Sequence, residues 1–167
     1  MPVTEQSMGG GEGAVRGVSQ LLIVGEEAPL MEALAYSLSR RGFAPATASG
    51  ADECRRWLRD RGCPAVVLLD AIRREGGDEG DGLILCRTIR GLCGPDVPIL
   101  VLTAYAGDVG EAYRTRVVAA GASDCLVKPF SMAELFARLH DLLSGVPAAG
   151  EGAAPRRNGV PLVSSDP

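Results

Sequence analysis

Five polar residues of this 167-residue chain stand just behind short apolar runs. Glu26 and Glu27 follow Leu21-Leu22-Ile23-Val24 across a single glycine, Gly25. Asp70 follows Ala65 to Leu69, Thr103 follows Pro98 to Leu102, and Lys128 follows Asp124 to Val127. Crowded carboxylates repel one another, and a hard divalent cation with oxygen ligands, such as Mg2+, relieves that repulsion. The same cation screens an incoming phosphoryl group, so that a carboxylate can attack its phosphorus. A hydroxyl and an ammonium close by then hold the phosphoryl oxygens. Lys128 is the one lysine among 17 basic residues, the rest being arginine, which marks a position where a compact ammonium is wanted.

These groups meet only if the apolar runs are neighbouring strands. Leu21 to Val24 is apolar at every position, as expected of a strand buried on both faces of a parallel sheet. Pro29 to Arg41 then carries Leu30, Leu34 and Leu38 at helical spacing and closes on Gly42. The alternation continues with a short strand at Ala44 to Ala48, a charged helix at Ala51 to Arg61 with Trp57 and Leu58 inward, and a strand at Ala65 to Leu69. A polar, glycine-rich loop from Arg73 to Gly82 precedes a helix from Leu83 to Leu92. Beyond it come a strand at Pro98 to Leu102, a helix at Val109 to Ala120 and a strand at Asp124 to Val127. Ser131 with Glu134 three residues on is a capping box, which opens a last helix to Leu143. Five strands alternating with five helices predict an α/β fold, doubly wound around one parallel sheet. In such sheets ligands lie outside the carboxyl ends of the strands, where the five polar residues stand.

Composition narrows the function. At 46% hydrophobic and 23% charged, the chain has the balance of a globular domain. A net charge of -4 and 4% aromatic residues argue against a dominant nucleic-acid surface, and Arg156-Arg157 adds too little charge to change that. No DNA binding by this chain alone is expected. Residues 1–19 read as a disordered leader, 20–144 as one domain and 145–167 as a disordered tail or linker. The amino terminus is no signal peptide and no apolar run is long enough for a bilayer, so a cytoplasmic chain without a membrane partner is expected. Cys54, Cys63, Cys86, Cys93 and Cys125 are odd in number and show no C-x-x-C spacing; reduced thiols are expected rather than a disulfide framework or zinc site. No G-x-G-x-x-G or G-x-x-x-x-G-K-S/T is present, and no D-x-D follows a strand, so nucleotide binding and haloacid-type phosphatase chemistry lack their marks.

The segments LLIVGEE, AVVLLDA, DGLILCRTIR, PILVLTA and GASDCLVKPF, in that order, resemble the receiver domain of two-component response regulators. The resemblance covers about Leu21 to Leu143, and VKPF with the lone lysine is its most specific part. It implies a flavodoxin-like (βα)5 sandwich of three layers with five parallel strands. It implies that Asp70 accepts a phosphoryl group from a sensor histidine kinase or phosphotransfer protein. Glu26, Asp70 and the backbone carbonyl of Ile72 would ligate Mg2+, Thr103 and Lys128 would bind the phosphoryl group, and Pro129 would follow Lys128 through a cis bond. Such a domain is a signalling switch rather than an enzyme with a free substrate. Its fourth helix, fifth strand and fifth helix commonly form the face for a homodimer or another protein partner.

Three departures from the family pattern bear on function. The family places two acids after the first strand, and Gly25 stands at the first of them. The loss of that acid should weaken Mg2+ binding; a one-residue shift would make Glu26 and Glu27 the pair, but the apolar run favours Glu26 alone. The loop after Asp70, AIRREGGDEGDG, is longer than usual and lacks proline. It is either a solvated insert or a source of a compensating carboxylate among Glu75, Asp78, Glu79 and Asp81. Cys125 stands where the family has an aromatic residue that swings inward when the threonine engages phosphate, and Tyr105 is the aromatic that the sequence offers in its place. The competing reading is a pseudo-receiver, a protein-interaction module that keeps the fold and works without phosphorylation. His140, the only histidine, reads as partly exposed and structural, and Cys125 as a poor redox sensor.

Overall fold

Ten elements alternate along the computed structural model, which describes residues 19–71 and 81–145. They are β1 (Ser19–Val24), α1 (Ala28–Ser39), β2 (Phe43–Ala48), α2 (Ala51–Arg61), β3 (Val66–Asp70), α3 (Asp81–Cys93), β4 (Ile99–Thr103), α4 (Gly107–Ala119), β5 (Asp124–Val127) and α5 (Met132–Leu143). Ser19, which composition places in a leader, opens β1. The rest of the leader, the tail from residue 146 and the segment 72–80 with Glu75, Asp78 and Glu79 lie outside the described residues.

The strands form one parallel sheet in the order β2-β1-β3-β4-β5. Period-two alternation divides each strand between two cores. Leu22, Val24, Val67, Leu69, Ile99 and Val101 pack toward Cys54 and Leu58 of α2, Cys86 and Ile89 of α3 and Val117 of α4. Leu21, Ile23, Val66, Leu68, Leu100 and Leu102 pack toward Leu34 and Leu38 of α1 and Leu135 and Leu139 of α5. Three layers result, as the alternation of elements predicts. The inward pair on α2 is Cys54 and Leu58, with Trp57 only partly buried.

Local signals fix the helix ends. The Ser131 hydroxyl accepts the Glu134 N–H at 3.2 Å, and the Glu134 carboxylate accepts the Ser131 N–H at 2.7 Å. These bonds close the expected capping box on α5 and hold the Glu134 carboxyl below its ordinary range. At the opposite pole, Arg90 of α3 donates to the carbonyls of Gly94, Val97 and Gly121, which ties the turn entering β4 to the turn entering β5.

The cysteines differ from expectation. Cys63 and Cys93 are joined in a disulfide, with Cα atoms 5.5 Å apart. Cysteine spacing carries no hint of this pair, because 30 residues separate them. The chain climbs β3 and returns down α3, which brings Cys93, the last residue of α3, back beside Cys63, three residues ahead of β3. Cys54, Cys86 and Cys125 are free and buried, as expected of core thiols.

Candidate functional site

Asp70, Thr103 and Lys128 meet because three parallel strands end together. Asp70 lies opposite Leu102 of β4, and Thr103 opposite Val127 of β5. Two backbone bonds extend the ladder past the strand ends: Ala71 N–H to the Leu102 carbonyl at 2.9 Å, and Lys128 N–H to the Thr103 carbonyl at 2.7 Å. The next peptide, Lys128–Pro129, is cis, as the resemblance implies.

Asp70 is 4% exposed and Thr103 2%. The Lys128 ammonium stands 2.6 Å from Oδ1 of Asp70. This is a charge contact, since among the described residues neither Asp70 oxygen accepts a hydrogen bond. Lys128 compensates the charge at Oδ1, which leaves Oδ2 as the buried oxygen with no partner, costly unless something binds it. Beside it opens a cleft of about 250 Å3, lined among others by Gly25, Glu26, Asp70 and Gly82. Glu26 is exposed at the lip, and Glu27 points to solvent as the residue before α1. Ile72, expected to offer its carbonyl, lies outside the described residues. Among the described residues no group of three or more His, Cys, Asp or Glu side chains gathers as a metal cage. One buried carboxylate whose Oδ2 has no partner and a second at the lip of the same cleft nonetheless fit Mg2+, which keeps most of its waters and takes one or two protein carboxylates.

Residues 21–140 match the family described as response regulator receiver domain. This chain is a member of that family. It is 38% identical over 125 residues to the response regulator MprA of Mycobacterium tuberculosis, covering 74% of this chain and 50% of that protein. It is 38% identical over 139 residues to MprA of Mycolicibacterium vanbaalenii, covering 81% and 56%. The receiver therefore spans about half the length of these curated relatives. Its fold is similar to that of a response regulator from Thermotoga maritima, with a TM-score of 0.64 and 29% identity over 76% of this chain and 98% of the other. A putative response regulator from Chloroflexus aurantiacus gives a TM-score of 0.64 at 28% identity over 76% and 98%.

Three further features shape this receiver's site. A Cβ built on Gly25 would stand 2.9 Å from the Asp70 Cβ and 3.3 Å from the Met31 sulfur, so the glycine lets β1 and β3 close around the carboxylate. Cys125 is buried in the α2–α3–α4 core near Cys86, and burial pushes its thiol up to about 11 despite the nearby Arg114 guanidinium. Burial thus disfavours the reactive thiolate at this position. Tyr105 donates its N–H to the Thr103 hydroxyl oxygen at 3.1 Å, and its ring rests on Tyr113 of α4.

The sequence reading passed over Tyr113 and the buried cluster around Asp124. Asp124 is 1% exposed and accepts from Arg114 of α4 and Arg138 of α5, each at 3.0 Å, and from the Cys125 N–H. These partners lie 10 and 14 residues away, beyond any helical spacing, so no local pattern announces them. His140 is exposed on α5 with Asp141 at 3.7 Å.

Proposed function

We propose that this receiver takes a phosphoryl group onto Asp70 from a phosphohistidine of a sensor histidine kinase or phosphotransfer protein and relays the state through protein contacts. The observation that carries this reading is the buried Asp70 carboxylate, with both oxygens free of hydrogen bonds and the lone lysine ammonium 2.6 Å from one of them. One Asp70 oxygen attacks phosphorus, the bond from phosphorus to the histidine nitrogen breaks, and the imidazole leaves with the electron pair and takes up a proton. Lys128 stabilises charge on the phosphoryl oxygens, and the Thr103 hydroxyl donates to one of them. Glu26 and Asp70, with the Ile72 carbonyl, would hold Mg2+, which would supply the positive charge that screens the incoming phosphoryl group. The domain is thus a switch that carries its own catalytic groups.

Next to Lys128 a wider cleft of about 510 Å3 runs between Leu30 and Leu34 of α1 and Phe130 and Met132 at the start of α5. It offers a partner an apolar surface within reach of Asp70. The α4–β5–α5 side, with Val109, Val118 and Val127 exposed, is the second contact face in this reading, for a homodimer or a downstream protein. No described helix is long and apolar enough to cross a membrane, and a cytoplasmic location without direct DNA contact belongs to the same reading.

The test is intact-protein mass after incubation with acetyl phosphate and Mg2+, beside Asp70→Ala. The expected result is a gain of one phosphoryl mass that vanishes in the variant and without Mg2+. No gain, under conditions that modify an ordinary receiver, would overturn this reading in favour of a phosphorylation-independent interaction module.

A further inference from the structure

We propose that Tyr105 and Tyr113 are positioning residues for Thr103, a stacked pair that ties the phosphoryl-binding hydroxyl to the backbone behind Asp70 and shifts when Asp70 is loaded. The proposal rests on the phosphoacceptor reading and adds the residues through which the loaded state leaves the site.

The contacts form an unbroken path. Thr103 ends β4, and its Oγ1 accepts the Tyr105 N–H at 3.1 Å. A hydroxyl that donates its one proton to a phosphoryl oxygen keeps lone pairs for that N–H. Movement of Oγ1 toward Asp70 therefore draws the Tyr105 backbone with it. The Tyr105 ring lies against Tyr113, with centroids 4.7 Å apart and planes tilted by 39°. Tyr113 is partly buried against the α2–α3–α4 core. Its hydroxyl would stand 3.2 Å from a Cβ built on Gly82, and the Cβ of Ala71, the residue after Asp70, lies at the same distance from that point. The pair thus bridges the tip of β4 to the two ends of the β3–α3 connection.

The surroundings give the pair somewhere to go. A cleft of about 270 Å3, lined by Thr103, Tyr105, Gly110, Arg114 and Cys125 among others, borders the Tyr105 ring. The small side chain of Cys125 on β5 stands at its inner wall, where the cleft meets the core. Gly110 lets α4 follow the loop closely, because a Cβ there would stand 2.8 Å from the Tyr105 carbonyl oxygen. A packed core passes on a displacement rather than absorbing it, so a shift of Tyr105 must move its ring partner on α4.

The chain has three tyrosines, and the third, Tyr36, is 68% exposed on α1. Labelling with 3-fluorotyrosine therefore gives three fluorine signals, assigned with the Tyr→Phe variants, of which Tyr36 is the internal reference. The probe is beryllofluoride with Mg2+, a stable stand-in for a phosphoryl group on a carboxylate, whose own bound fluorine signal reports occupancy of Asp70. The expected result is that the Tyr105 and Tyr113 signals move on binding while that of Tyr36 stays. Because coupling is reciprocal, Tyr105→Ala, which keeps the backbone N–H but removes the ring, should change beryllofluoride affinity about fivefold or more, and Tyr105→Phe, which keeps the ring, should restore it. Bound beryllofluoride with unmoved Tyr105 and Tyr113 signals, or an unchanged affinity in Tyr105→Ala, overturns the proposal alone. Absence of any bound beryllofluoride overturns the phosphoacceptor reading and the proposal with it.

Discussion

At Gly25 the β1 backbone comes so near Asp70 that any side chain would press on the Cβ of Asp70 at 2.9 Å. The sequence presents this glycine as a missing acid; the structure makes it the residue that allows the closure. Forcing a methyl group into a packed site costs about 1–3 kcal/mol. Gly25→Ala should lower the unfolding free energy by that amount in urea denaturation, and an unchanged midpoint would show that β1 yields freely. The buried thiols give a pH test at the same scale. Burial raises Cys54 and Cys125 from 9.0 to about 11 and Cys86 to about 12. The unfolded chain ionises these thiols first, so their contribution is fully present below pH 9 and is lost as pH rises through 11 to 12. Stability measured stepwise above pH 9 should fall, and fall less steeply in Cys86→Ala. Equal slopes for the two proteins would contradict the assignment.

The β3–α3 unit is closed at its base by the Cys63–Cys93 bond, which encloses Asp70 and the segment that follows it. Cross-linking residues 30 apart removes loop-closure entropy from the unfolded chain, worth about 3–4 kcal/mol. Cys63→Ser, or reductant on the parent protein, should lower the unfolding free energy by about that much in urea, while Cys63→Ser should show no further response to reductant; equal stability of the parent with and without reductant would count against the bond. Most elements were legible before the structure, because a five-residue apolar run or a Leu30-Leu34-Leu38 stripe is a local signal. Their ends were less so: β1 begins at Ser19 and α4 at Gly107, each two residues ahead of the first apolar residue. The disulfide was not legible, since it depends on how far α3 returns along β3 and no periodicity encodes that.

Across the whole molecule, the strand order β2-β1-β3-β4-β5 converts four sequence-distant strand ends into one site at the point where the order reverses. Asp70, Thr103 and Lys128 were legible for that reason: once the runs are parallel strands, the residue after each run has one place to go. The Asp124–Arg114–Arg138 cluster and the Tyr105–Tyr113 pair were not, because they join β5 and the β4–α4 loop to helices whose facing is set only by packing. The same assembly buries the Asp70 carboxylate beside the Lys128 ammonium and leaves its Oδ2 without a hydrogen bond among the described residues. An ion that binds this carboxylate in the native state and finds no such site in the unfolded chain stabilises the whole fold by mass action, by about 2.7 kcal/mol at a hundred times its dissociation constant. Urea unfolding at rising Mg2+ should therefore shift to higher denaturant for the parent protein, and the shift should disappear in Asp70→Ala and shrink in Glu26→Gln. A parent protein indifferent to Mg2+, or a variant lacking Asp70 that responds equally, would place the ion elsewhere and leave the Asp70 cleft without the role assigned to it.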